Sequence, residues 1–205
     1  TKILNEFKLN SMKKFLTILI FIFTLQTPSQ ADDIRDFQIE GMSIGDSLLD
    51  YFSEKEIKNP GANNIYFYPN NSKFYEIVLN SNSAIYDEIQ FSLKDKDNSY
   101  KIYSVNGTIF FKQNISKCFD KKNEIESDLS KIFNMNELNV YPESGKHTVN
   151  ETGRSTFEAK WYAFKSGDYV GIVCTDYHVD MNNQDSLKLL ISSKEYNDFL
   201  KAAYE

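Results

Sequence analysis

Residues 156–174 read TFEAKWYAFKSGDYVGIVC, and their pattern sets the fold class. Phe157, Ala159, Trp161 and Ala163 recur at every second position, Ser166-Gly167-Asp168 is turn chemistry, and Val170, Ile172 and Cys174 alternate back. A period of two lines one face of an extended strand, and two such runs joined by a short Gly-containing turn make a β-hairpin. Connections this short pair strands antiparallel.

The same period runs upstream. Ile65, Phe67 and Pro69 lead to a turn at Asn70-Asn71, Tyr75, Ile77 and Leu79 follow, and then Ile85, Asp87, Ile89, Phe91 and Leu93. Tyr103, Val105, Ile109 and Phe111 share one phase with Gly107 in line between them. Asn106-Gly107 fits a two-residue hairpin turn. It also fits a bulge at the glycine within one long strand, and the apolar phase that survives across it favours that second reading.

Helical spacing appears three times. Ile44, Leu48, Leu49, Phe52 and Ile57 predict an amphipathic helix capped by Ser43 or Asp46 and stopped at Asn59-Pro60-Gly61. Cys118 opens a second pattern, with Ile125, Leu129, Ile132 and Phe133 on one face. Tyr141 to Ser155 reads as a polar loop. A last strand, Leu187 to Ile191, precedes the capping-box pattern Ser192-Ser193-Lys194-Glu195, which opens a terminal helix carrying Tyr196, Phe199, Leu200 and Ala203. The order is helix, three or four strands, helix, three strands, helix. It predicts an α+β fold, an antiparallel sheet with helices packed on one face, and suggests two related α-β-β-β units over 39–115 and 116–205.

The chain has 205 residues, with 23 Lys and Arg against 29 Asp and Glu, a net charge of −6. That length fits one domain or two small ones, and 16 Phe, 13 Tyr and one Trp supply ample core, which excludes disorder. An acidic balance argues against nucleic acid as a partner. Arginine occurs only at Arg35 and Arg154 beside abundant Asn, Lys and Ile, the mark of an AT-rich genome, so aromatic richness alone does not signal a binding surface.

Met12-Lys13-Lys14, the apolar run Phe15 to Leu25 and Ser29-Gln30-Ala31 form the three parts of a secretory signal, cut after Ala31. Eleven helical residues reach only about half of a ~30 Å hydrocarbon core, too short for a span. Residues 1–11 are expected to precede the true start, 12–31 to be the signal, and 32–205 to be a single domain without a membrane span. Cutting 31 residues from 205 leaves 174, with four fewer lysines and one fewer acid, or −9. The expected compartment is the periplasm or the exterior. There an even pair, Cys118 and Cys174, reads as a disulfide.

Four constellations could carry chemistry. Gly41-Met42-Ser43-Ile44-Gly45 matches the G-x-S-x-G nucleophile elbow, but lacks the preceding parallel sheet that the elbow requires. Asp176, His178 and Asp180 alternate and could converge on a cation; as a calcium loop they fail, with Met181 in place of the required Gly and Leu187 in place of the acid. Lys146, His147 and Arg154 form a cationic patch suited to a carboxylate or phosphate. It has no P-loop spacing. Tyr66, Phe67, Tyr68, Phe74 and Tyr75 cluster around the first hairpin as an interaction surface or as core. None of these is a convincing catalytic set, and no cofactor is indicated.

Taken as a set, I-E-G-M-S-I-G-D-S-L-L-D-Y-F (39–52), the Y-D-E-I-Q-F strand (86–91), N-I-S-K-C (114–118), V-G-I-V-C (170–174) and S-K-E-Y (193–196) resemble a family of small exported proteins from AT-rich marine alphaproteobacteria. The G-M-S-x-G turn followed by an antiparallel sheet is more distantly similar to the repeat of β-lactamase-inhibitor-like proteins. The resemblance implies a periplasmic compartment and supplies no catalytic residues. The expected function is a soluble periplasmic binding or protein-interaction module, its partner an envelope protein or a small anionic ligand. The alternative is a small hydrolase using Ser43 or the Asp176/His178 group.

Overall fold

The seven period-two runs all form strands, and an eighth joins them. The computed structural model describes residues 34–59, 61, 64–68, 73–79, 83–147 and 153–204, all within one compact unit, Ala31–Glu205. The signal segment and the Asn70-Asn71 turn lie outside the described residues. The strands are β1 (Ile65–Phe67), β2 (Phe74–Leu79), β3 (Glu88–Lys94), β4 (Ile102–Phe110), β5 (Asn139–Lys146), β6 (Thr156–Ala163), β7 (Tyr169–Asp176) and β8 (Ser186–Ser192). The helices are α1 (Glu54–Lys58), α2 (Ile115–Ile132) and α3 (Lys194–Tyr204). None of the described helices is long and apolar enough to cross a membrane.

One antiparallel sheet holds all eight strands in the order β1-β2-β3-β4-β8-β7-β6-β5. Two four-stranded meanders therefore meet along a β4–β8 seam, where Val105 faces Ile191 and Gly107 faces Leu189. Residue parity on β2 shows how the layers stack. Ile77 and Leu79 join the main core with Cys118 and Leu129 of α2, whereas Phe74, of the opposite parity, packs with Tyr103 and with Tyr196 and Phe199 of α3. Helices thus cover both faces of the sheet, not one as expected, because the second face offers its own apolar seat for the α3 stripe.

β4 runs unbroken through Asn106-Gly107, so no hairpin forms there. The glycine serves close packing: the Tyr86 ring lies 2.5 Å from where a Cβ would stand. The irregularity is at the strand's start. Ser92 faces Ser104 and Leu93 faces Ile102, which leaves Tyr103 unopposed. That extra residue turns Tyr103 towards α3 while Ile102 and Val105 enter the main core.

The expected helix over residues 44–57 is two short pieces. The backbone of Gly45 to Leu48 bonds instead to the start of β4: Gly45 N donates to the Ile102 carbonyl and Leu48 N to the Tyr100 carbonyl. Ser47 then caps a 3-10 turn at Leu48–Asp50, and Ser53 with Glu56 forms a capping box on α1. The loop read from Tyr141 to Ser155 begins as β5, paired with β6 from Asn139↔Ala163 to Lys146↔Thr156. This edge strand is solvent-facing on both sides, so no apolar alternation marks it. At the last helix the cap is Ser193, whose hydroxyl accepts from Tyr196 N, while Ser192 bonds to Asn197.

Cys118, in the first turn of α2, is bonded to Cys174 on β7, with Cα atoms 5.9 Å apart. Both are buried, so the bridge staples helix to sheet inside the core.

Candidate functional site

Six separate stretches of chain, 34–35, 44–45, 101–103, 134–138, 164–168 and 193–195, come together where β4 begins and β8 ends. Gly45 N donates to Ile102 O, Ile102 N donates to Asp46 O, and Ser193 N donates to Tyr103 O, all at 2.9 Å. The β6–β7 turn is closed by Phe164 N donating to Asp168 O, and the chain leaving α2 adds Asn134, Glu137 and Leu138. Between these stretches lies a groove of about 510 Å³. That is within the range of about 300–1,000 Å³ typical of small-molecule sites.

The groove has an apolar lining and a charged rim. Ile34, Ile44, Ile102, Leu138 and Phe164 provide the first; Arg35, Lys101, Lys165, Lys194, Glu137, Asp168 and Glu195 provide the second. Every rim carboxylate is engaged. Glu137 pairs with Lys165 at 3.1 Å. Asp168 accepts from Lys194 N and from the Ser166 hydroxyl, each at 2.7 Å. Glu195 pairs with Lys73 at 3.0 Å and with Lys94 at 2.9 Å, and hydrogen bonds from Lys94 and Lys73 hold its pKa below the ordinary value. Lys194 pairs with Asp198. Lys101 differs: its ammonium rests over the Tyr103 ring at 5.4 Å, and no carboxylate of the described residues pairs with it.

The sites expected from sequence lie elsewhere. Ser43 is buried, its hydroxyl donates to Phe37 O at 2.9 Å, and its N–H is held by Asp46. Its proton goes to a backbone carbonyl rather than to a histidine, in a turn that no helix directly follows. Arg154 links two of the other constellations, pairing with Asp180 at 2.6 Å and lying 3.3 Å from His178 Nε2. Asp180 and His178 are therefore occupied by a guanidinium rather than gathered around an open position. Asp176, at the end of β7, faces Thr156 across the β6–β7 ladder. Among the described residues no three His, Cys, Asp or Glu side chains are placed to hold a metal ion.

Lys146 and His147 lie beside the chain neighbours of Arg154 but in different surroundings. The Lys146 stem lies against Gly153, whereas the His147 ring packs on Tyr177 at 5.2 Å, with its Nδ1 buried and without a hydrogen bond from the described residues. Burial and nearby Lys188 push the His147 pKa below its usual value. The aromatic cluster divides. Tyr68 and Phe74 are core, Tyr75 is partly buried, and Tyr66 and Phe67 stay 46% and 60% exposed on the edge strand β1.

A further polar network pins α3 to the sheet. The Glu76 carboxylate accepts from the Tyr68, Tyr196 and Gln90 side chains, and burial followed by Glu76 raises both tyrosines far above their usual pKa. It is a satisfied network, suited to structure.

The groove residues escaped sequence reading because they run from Ile34 to Glu195 with no local spacing to mark them. The one available sign was Lys101 at the irregular start of β4. No protein-family model matches this chain, no curated protein matches it, and no solved structure matches it. The functional reading therefore rests on the residues themselves.

Proposed function

We propose that this protein is an exported, periplasmic binding module whose ligand seats in the groove at the end of the β4–β8 seam. The observation that carries the reading is the groove itself: an apolar lining reached past lysines, built by six stretches of chain that meet beside a strand bulge. Export is supported by the signal pattern of residues 12–31 and by the Cys118–Cys174 bridge, which suits an oxidising compartment. We read the two meanders, each followed by a helix, as two related units whose junction makes the site.

The test is a thermal-shift screen of small carboxylates, phosphates, amines and sugars on the mature protein. Ligands that bind the folded state raise its melting temperature. Their effect should disappear in Ser166→Trp, which places an indole on the groove rim at an exposed turn position. Shifts that persist unchanged in that variant contradict the groove as the site. Turnover of ester, phosphate, glycan or peptide substrates that is lost in Ser43→Ala would replace this reading with the hydrolase. A protein partner is the second reading, favoured by exposed Tyr66 and Phe67 on edge strand β1, where an added strand could pair.

A further inference from the structure

We infer that the groove ligand is an amphipathic monoanion, an aliphatic chain ending in a single carboxylate, with Lys101 holding the head group. This rests on the groove being the binding site. Two features of the lining lead to it. The apolar part of the interior is formed by partly buried Leu138 and Phe164, backed by buried Ile34, Ile44 and Ile102, and the exposed parts of these side chains offer the body of a ligand contact surface and no hydrogen bonds. The rim offers charge of one sign. Its three carboxylates are already neutralised or bonded within the protein, while Lys101 stands exposed at the mouth with only the Tyr103 ring beneath it.

Electrostatics then selects among ligands. A cationic head would meet Lys101 with no available carboxylate, and a neutral head would leave the ammonium with water alone. An anionic head gains a charge-assisted hydrogen bond from it. The N-terminus of α3 does not supply this recognition, because Asp168 and the Ser193 hydroxyl already accept its first N–H groups. A dianion such as a phosphate monoester would lack a second open cation, since Lys165 and Lys194 are paired with Glu137 and Asp198 and Arg35 is engaged within the protein. A single negative charge on a chain fits both features.

The experiment is calorimetric titration of the mature protein with decanoate, decan-1-ol and decylammonium, each below its micellar range, repeated on Lys101→Met and Lys101→Glu. Both substitutions are at an exposed position, and unchanged melting temperatures will show that the fold is kept. Decanoate is expected to bind most tightly, and to lose about tenfold or more in affinity in Lys101→Met, the scale of one charged hydrogen bond. Decan-1-ol should be indifferent to that change, and Lys101→Glu should reverse the preference towards decylammonium. Equal binding of the alcohol or the ammonium by the unaltered protein overturns the anion assignment and leaves the groove reading intact. Failure of all three overturns the amphipathic class, while the ligand screen with Ser166→Trp still decides whether the groove binds anything. Tight decanoate binding that ignores both Lys101 substitutions also overturns the assignment.

Discussion

The two ends of the β4–β8 seam are built on opposite principles. At the far end, where β4 and β7 finish and α2 begins, the chain is closed on itself. The Cys118–Cys174 bridge ties helix to sheet, Arg154 neutralises Asp180, and the buried Asp185 carboxylate accepts from Tyr177 N. At the near end no disulfide joins the converging stretches; main-chain hydrogen bonds to Ile102 and Tyr103 hold the Gly45–Asp46 turn and Ser193, and space is left between. Chemistry-bearing side chains abound at the far end, yet nearly all are satisfied. Open charge beside apolar space is found at the near end, and that difference, rather than the density of reactive residues, distinguishes a site from a well-made junction.

Removing the staple tests the comparison most severely. Cys118→Ala with Cys174→Ala should destabilise the fold by about 4 kcal/mol in the chain-entropy account, read as a lower denaturant midpoint. Below that midpoint ligand binding in the groove should persist, because the bridge lies at the other end. Phe199→Ala attacks the near end instead. It removes a buried ring that packs on Tyr68 and Phe74 at 4.9 Å each, and it should cost about 3 kcal/mol while loosening α3, whose first turn lines the groove. Here stability and binding should fall together.

Two titrations at the far end work in opposite directions. Burial raises the Asp185 pKa above its ordinary 3.8, so its contribution to stability is full below that value and is lost as the pH rises through the folded pKa. His147 is lowered from 6.5, so its contribution is full above 6.5 and is lost as the pH falls through the folded pKa. A pH series of denaturant midpoints should therefore lose the first dependence in Asp185→Asn and the second in His147→Gln. The smallest effect is expected for Arg154→Ala. The pair is about half exposed on both sides, and such pairs contribute ~0.5 kcal/mol. Its loss should leave groove binding unchanged.

The sequence exposed the two ends unequally, for physical reasons. The 156–174 hairpin was legible because turn residues and alternation coincide there. Its register was less so: Tyr162 faces Val170 and Glu158 faces Cys174, which puts the Phe157-Ala159-Trp161 stripe on the face opposite Val170 and Ile172. Two-sided burial across an eight-stranded sheet makes either phase look like a core. β5 was missed because a strand exposed on both faces carries no apolar period. The helix over 44–57 was overread because Leu48 and Phe52 keep helical spacing even though Gly45 and Leu48 give their N–H groups to residues at the start of β4. The cysteine pairing was legible from count and compartment. The groove was not, since Ile44, Lys101, Leu138 and Lys194 meet only after the meanders join.

The central claim, that binding belongs to the open end of the seam, is tested most directly by amide chemical-shift mapping on the folded, disulfide-bonded protein during a decanoate titration. Shifts concentrated at Gly45, Lys101 to Tyr103, Ser166 and Lys194 are predicted, with the far end silent. Shifts gathered instead around His147, Arg154 and His178, with none in the groove, would contradict it.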